Sequence, residues 1–419
     1  MMLKSYYLIL LLTVTVFSQN RMVTSVNWQG NKRMNLKFLA AFIETKVGLP
    51  LDSLKVENDV AALTRLNGIS NVTFAISPID QEECAVTFKV IENYSILPNV
   101  ELWTTDAAAA AYRLGLYDYN FLGKNNSIGG FYQYNGVSSY GISFSAPFLF
   151  SSNLGIETNF RKISSIEPIF INKIPSQYQY SNKGIDFSVV YRLNFRNSFK
   201  LGFTVFNEKY EYISGEQSPE VPQFFEIDKA SVKSTYDFNN LKYDFYLVKG
   251  FKNQLFSQVV INDNKLQDKF VVFRNDLLFF SRIGKNGNWG TRLQLGLSTN
   301  SNSPFAPFAL DNNMNIRGVG NIVDRGTGVI VINTEYRKTL YEKKWFVLQG
   351  NAFIDSGTWR NPGGSFTDFI TNENIKVYPG VGLRIIHKAI FNAVFRIDYG
   401  YGITKNANNG IVFGVGQYF

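Results

Sequence analysis

The sequence predicts a transmembrane β-barrel of about 16 antiparallel strands, preceded by one small α+β domain. Three observations carry this expectation. Charged residues make up 18% of the 419, below the roughly 25% of soluble proteins, while aromatics reach 16%, led by 37 Phe and 23 Tyr. A barrel in lipid needs that composition, because its outside is apolar, its lumen polar, and rings gather at both interfaces. Beyond the first residues no apolar run reaches the ~18 that a spanning helix requires. From about residue 100 onward the hydrophobic period is two, which is the period of a strand.

The chain opens "MMLKSYYLILLLTVTVFS", a lysine followed by a short apolar run, which reads as a secretory signal peptide over residues 1–18. No cysteine follows it, so no lipoprotein anchor is expected. Residues 21–95 form the small domain. "MVTSVNWQGN" is strand-like and ends in a turn at Gly30-Asn31. Leu36, Leu39, Ala40, Ile43 and Val47 recur at helical spacing, with Gly48 as a stop; Val56, Val60 and Leu63 repeat the pattern between a cap at Asp52 and a stop at Gly68. Val72, Phe74 and Ile76 then alternate, as do Val86, Phe88 and Val90. The order is strand-helix-helix-strand-strand.

Residues 100–419 form the barrel. Leu293, Leu295 and Leu297 oppose Arg292, Gln294 and Gly296. Phe391, Ala393, Phe395, Ile397, Tyr399 and Tyr401 oppose Asn392, Arg396, Asp398 and Gly400. Ile411, Phe413, Val415 and Phe419 oppose Gly414 and Gly416. One face suits lipid and the other water, and lipid forbids an unpaired edge, so the strands must close. Asn125-Asn126, Arg196-Asn197 and Asn239-Asn240 suit hairpin turns. "DAAAAAY", from Asp106, has helical propensity but is read as part of the first barrel strand.

Alternation also places the charges. Gln349, Asn351 and Asp355 share the luminal face, as do Asn333, Glu335 and Arg337, and Gly380, Gly382 and Arg384; Val377, Val381, Leu383 and Ile385 face lipid. Asp398 and Arg396 are also inward. A dried luminal carboxylate needs a partner. The connector from about 299 to 326 is longer than the ~12–15 residues of an ordinary loop. Folded into the lumen, it would bring Arg317 to Asp355 for a bidentate contact, with Gly318 and Gly320 permitting a tight tip.

Five motifs in order resemble the BamA/TamA-like barrel superfamily, which includes two-partner secretion transporters. "IRGVG" (316–320) is similar to its VRG[FY] loop signature, "FIDSG" (353–357) to its F-x-D-x-G strand, and "GVGLR" (380–384) to its G-x-G-x-R strand. "DYNFLG" (118–123) resembles the turn after its first barrel strand, and "FSAPFLF" (144–150) its proline-bearing third strand. Gln29-Gly30-Asn31, the stretch Gly48 to Asp52, Leu63, Leu66 and Val90-Ile91-Glu92 resemble a POTRA (polypeptide-transport-associated) domain. Val319 departs from the usual aromatic, which implies a less firmly packed tip, and a single POTRA module is fewer than the family usually carries.

The resemblance implies an outer-membrane assembly or insertion factor of a Gram-negative-type cell. Its POTRA domain would lie in the periplasm and bind unfolded outer-membrane or secreted proteins along the strand bearing Val72, Phe74 and Ile76. A loop-barrel lock of Arg317, Gly318, Gly320, Asp355, Glu335 and Arg384 would act beside a barrel seam at Gly414, Gly416 and Phe419, where strand glycines weaken pairing. The implied partners are the outer-membrane bilayer, client proteins and accessory lipoproteins. A two-partner secretion pore and a passive structural barrel are the alternatives. Scattered basic residues at net charge +9 do not suggest nucleic acid. One cysteine, Cys84, and one histidine, His387, exclude the usual zinc sites and thiol chemistry. No enzyme, metal or cofactor is expected.

Overall fold

The computed structural model describes residues 21–105, 108–171, 174–217, 219, 222–262, 269–300, 306–310, 315–319, 324–390, 393–405 and 407–419. The signal peptide reading, Asp106, Gly320, Phe391 and Asn392 lie outside the described residues. The amino-terminal unit runs β1 (Met22–Gln29), α1 (Leu36–Phe42), α2 (Ser53–Leu63), β2 (Ile69–Pro78) and β3 (Glu83–Glu92). Its sheet has the order β1-β3-β2, with β1 parallel and β2 antiparallel to β3. Leu39, Val56, Leu63, Val72, Val86 and Phe88 are buried together beneath the helices. Gly30 is required: at φ 86 a Cβ there would stand 2.2 Å from the Val90 carbonyl oxygen.

The helix starts follow from capping. Asn35 accepts the Phe38 N–H, and Asp52 accepts those of Leu54 and Lys55. The ends fall earlier than Gly48 and Gly68 suggest. The Asp59 carboxylate accepts the backbone N–H groups of Glu44 and Thr45 at 2.6 and 2.8 Å, fixing the chain after Phe42 in a non-helical path. The Thr64 hydroxyl donates to the carbonyls of Val60 and Ala61 and closes α2. The Asp59 contact spans 14 to 15 residues and leaves no local pattern.

The barrel wall begins with β4 (Ile96–Thr105), β5 (Ala108–Phe121), β6 (Asn126–Tyr134), β7 (Ser138–Ala146) and β8 (Leu154–Ile171). It continues through β9 (Ile174–Arg192), β10 (Asn197–Gly215), β11 (Phe224–Asn239), the three-residue β12 (Lys242–Asp244), β13 (Leu247–Ile261), β14 (Phe270–Ile283) and β15 (Gly287–Ser298). The connector after β15 carries a small hairpin, β16 (Phe308–Leu310) with β17 (Asp324–Gly326). The wall then finishes with β18 (Gly328–Glu342), β19 (Phe346–Arg360), β20 (Ile375–His387), β21 (Val394–Tyr401) and β22 (Asn409–Val415). With β12 a short addition beside β13, sixteen strands close the wall, β22 returning to β4.

Alternation decides which side faces out. Ile397 is 50% exposed and the adjacent Asp398 0%. Exposed rings and aliphatics cover the outer face, as in Phe187, Leu201, Phe203, Leu383 and Phe413, so this barrel crosses a membrane with its polar side chains turned inward.

Four expectations need correction. The first wall strand starts at Ile96, and the alanine run begins the second strand, β5, because it pairs back onto β4. "DYNFLG" consequently ends the second strand and its turn, where Leu122 and Gly123 take positive φ. "FSAPFLF" ends the fourth strand: pairing stops at Ala146, and Pro147, which lacks an N–H, opens the turn. The chain does not stay in the wall to Phe419. Gly416 takes φ 89, its N–H donates to the Val394 carbonyl at 2.8 Å, and the tail turns into the lumen, where the Phe419 ring lies 6.2 Å from inward-facing Phe280.

The amino-terminal unit is seated on one end of the barrel. Arg65 donates to the Leu241 carbonyl at 2.8 and 3.2 Å and to the Phe195 carbonyl at 2.8 Å. Burial lowers its pKa, yet it remains a cation at any working pH. The Asn35 N–H reaches the Gly123 carbonyl, and the Ser70 hydroxyl the Lys388 carbonyl. Phe38, Phe42 and Phe148 pack at 5.3–5.6 Å, with Arg192 over Phe42 and Phe148. A hydrogen bond from a charged donor contributes about 1.5–3 kcal/mol. Arg65→Ala is therefore expected to loosen the seat without unfolding the barrel. Amide exchange should rise at least tenfold in the turns 193–196 and 240–241, with the wall strands unchanged.

Candidate functional site

The inner faces of β18 to β21 build a charged floor that a connector tip completes. Asn333, Glu335 and Arg337 project inward from β18, Asn351, Phe353 and Asp355 from β19, Arg384 from β20, and Arg396 and Asp398 from β21, each pair two residues apart because side chains alternate. The register sets Asn333 opposite Asp355 and Arg384 opposite Arg396. The connector between β15 and β18 enters the lumen and lays Arg317 among them, fully buried.

Arg317 is gripped on every side. Its Nε and Nη2 donate to the two oxygens of Asp355 at 2.8 and 2.9 Å, a bidentate fork, and its own backbone N–H adds a third bond to that carboxylate at 2.9 Å. Nη1 donates to Glu335 at 2.6 Å and lies 3.7 Å from Asp398. The guanidinium stacks 3.6 Å from the Phe353 ring centroid and 4.4 Å from that of Tyr418. Glu335 is shared: Arg384 donates to it at 3.0 Å and Arg337 also binds it. Arg396 and Arg384 hold Asp398 at 3.2 and 3.5 Å. Four guanidiniums (Arg317, Arg337, Arg384, Arg396) thus meet three carboxylates (Glu335, Asp355, Asp398), an excess of 4 − 3 = 1 cation. The rings of Phe353, Tyr418 and Phe419, near Arg317, Arg396 and Arg337, face the surplus charge.

The backbone of the tip is docked as closely as its charge. Gly318 has φ 95, and a Cβ on it would stand 2.6 Å from the Gly400 carbonyl oxygen of β21. A Cβ on Gly400 would stand 2.2 Å from the Arg317 carbonyl oxygen, and one on Gly410 of β22 3.3 Å from that of Gly318. Beside the tip, Ile316 and Val319 are buried with Leu310, Val329, Val331, Trp359 and Tyr378. Val319 is 1% exposed and is buried in this cluster with Trp359 and Tyr378.

Arg317, Gly318, Asp355, Glu335 and Arg384 therefore converge in one cluster, while Gly320 lies outside the described residues. The seam residues do not all lie in β22. Gly414 sits in β22, where a Cβ would stand 2.5–2.7 Å from the Arg396 guanidinium, so its smallness makes room for that side chain. Gly416 is the break at which the wall ends, and Phe419 lies inside the lumen rather than on the lipid face. Val72 is core, Phe74 exposed and Ile76 half-buried, all on the sheet-edge strand β2. The reading of single residues missed Tyr418 and Gln417, whose Oε1 accepts Arg384 Nε at 3.0 Å, and the docking glycines Gly400 and Gly410. Phe353 shares the parity of Asp355, a signal that was present.

No family model matches the chain, and no curated protein does. Solved structures do. The crystal structure of BamA from Haemophilus ducreyi lacking POTRA domains 1-3 aligns with a TM-score of 0.56 at 15% identity, over 94% of this chain and 83% of that one. The fold is that of the BamA and CdiB barrels. CdiB from Escherichia coli aligns with a TM-score of 0.63 at 11% identity, over 94% of this chain and 75% of that one. CdiB from Acinetobacter baumannii gives 0.59 at 11%, over 95% and 74%.

Removing one member of a buried ion pair costs about 3–5 kcal/mol, because the partner stays buried and uncompensated. Arg317→Ala is expected to destabilise the barrel by that amount, read as a lowered midpoint of the heat-dependent gel shift of the detergent-solubilised protein. Gly400→Ala leaves every charge in place but drives a methyl into the tip backbone. It should cost about 1–3 kcal/mol in the same assay, whereas Gly350→Ala, where the new methyl meets only the end of the Leu340 side chain, should shift the midpoint by less than half as much.

Proposed function

We propose that this chain is an outer-membrane protein that receives unfolded polypeptides on its amino-terminal domain and assembles them into the membrane at the β22–β4 seam. In this reading the domain is a single POTRA module on the periplasmic side, delivered there by the signal peptide, and β2 offers its free edge to a client strand. The observation that carries the reading is the asymmetry of the wall. The closing strand β22 has seven residues, against 15 in β18 and β19 and 13 in β20. The Arg317 tip rests on the last hairpin, with Gly318 against Gly400 and Gly410. A short strand offers few ladder hydrogen bonds to break, and a rigid tip on its neighbour keeps the rest of the wall closed while the seam parts. No enzymatic step enters this mechanism, and accessory lipoproteins would supply further client contacts.

A second reading, a secretion pore for one exported partner, is favoured by a cavity of about 380 Å³ on the luminal wall, lined by Arg161, Asp186, Glu208 and Lys233 among others. One experiment separates the two. Photo-crosslinking residues placed at Phe74 and at Val415 should both capture newly made outer-membrane proteins, and depletion should lower the levels of those proteins several-fold. Capture of a single secreted protein, with outer-membrane protein levels unchanged, would replace the first reading with the second. No capture at either position would leave a passive barrel.

A further inference from the structure

The luminal cavity along β8 to β14 has a chemistry of its own. It measures about 380 Å³ and lies between the inner faces of β8 to β14 and the connector residues Ala306, Pro307 and Arg325. Its two carboxylates are already satisfied. Asp186 accepts from Lys233, from the Thr204 hydroxyl at 2.7 Å and from the Ser188 hydroxyl at 3.2 Å. Glu208 accepts from Lys229, from the Tyr180 hydroxyl at 3.0 Å and from Asn182 at 3.3 Å. The charges left over are cationic. Arg161 is exposed to the cavity, and its side chain makes no ion pair or hydrogen bond among the described residues. Two residues before it on the same inward face of β8, Asn159 also lines the cavity, and its Oδ1 is buried without a hydrogen-bond partner.

The Cα atoms that carry this free guanidinium and this orphaned amide oxygen thus stand about 6.6–6.8 Å apart along one strand. They call for a molecule that carries an anion and, one short step away, an N–H donor. Phe206 and Phe270 supply apolar wall beside them. We infer that this cavity binds an acidic segment of extended polypeptide, with a carboxylate on Arg161 and a backbone N–H on Asn159 Oδ1. A carboxylate meets Arg161 as a charge-assisted pair, and the N–H relieves a buried acceptor that is costly when left without a donor. The inference rests on the reading of the barrel as a handler of polypeptides, and names the kind of segment its lumen prefers.

The test uses the full chain in detergent, where neither membrane assembly nor secretion takes place, so failure of the proposed function and failure of this inference are separate results. Acetyl-Phe-Asp-Phe-Asp-amide and acetyl-Phe-Lys-Phe-Lys-amide are titrated at low salt by microscale thermophoresis. The acidic peptide is expected to bind at least tenfold tighter. Arg161→Ala should abolish that preference, Arg161→Lys should retain part of it, and Asn159→Leu should weaken the acidic peptide several-fold. Arg113→Ala, a cation stacked on Phe131 elsewhere on the wall, should change nothing. The heat-dependent gel shift verifies that each variant is folded. Equal binding of the two peptides, a preference that survives Arg161→Ala, or complete displacement of the acidic peptide by millimolar inorganic phosphate would overturn the inference.

Discussion

A guanidinium inside a barrel must be met by carboxylates, and in this protein that requirement organises the whole late wall. Arg317 arrives on a connector rather than on a strand, so its partners have to be prepared by the wall before the tip can settle. Asp355, Glu335 and Asp398 come from three strands; Glu335 and Asp398 are held in turn by Arg384, Arg337 or Arg396, and Asp355 receives the Arg317 fork. Each ion carries a desolvation cost of several kcal/mol, which the pairing must offset. The arrangement is therefore better understood as a device for placement than as a source of net stability. It fixes one tip in one position, backbone against backbone, at Gly400 and Gly410.

That placement links the two ends of the barrel. The tail that leaves the wall at Gly416 brings Tyr418 over the Arg317 and Arg396 guanidiniums, and Gln417 to Arg384. Gln417 also lines a cavity of about 400 Å³ between the barrel and the seated amino-terminal unit, beside Leu66, Ile69 and Val394. The lock is thus contiguous with the mouth on which the amino-terminal unit sits. Physical continuity of this kind is the condition for events at that unit to reach the seam, although continuity alone is not coupling.

Much of this was legible in the sequence because a strand has an exact period. Once Gln349 and Asn351 are assigned to water, Asp355 must follow them, and Glu335 and Arg384 are placed by the same parity. The same rule places Phe353 inside, where its ring supports a cation. Parity fails where the chain leaves the wall. Phe419 continues the alternation of Ile411, Phe413 and Val415, but one positive φ at Gly416 sends it into the lumen. The alanine run hid the boundary between β4 and β5, since alanine gives no inside or outside signal. The docking of Gly318 on Gly400 joins positions 82 apart (400 − 318) through backbone atoms alone, and no periodicity reports that.

The central claim is that Arg317 and Asp355 act as one unit inside the lumen, and a double-mutant cycle addresses it most directly. Arg317→Met, Asp355→Leu and the double variant are unfolded from detergent by urea under reversible conditions. The account predicts strong coupling: each single change leaves a buried charge behind, the double change removes both, and the double variant is more stable than the sum of the singles by about 2–3 kcal/mol. Additive losses within about 0.5 kcal/mol would mean that the two side chains do not meet in the folded protein, and would contradict the account.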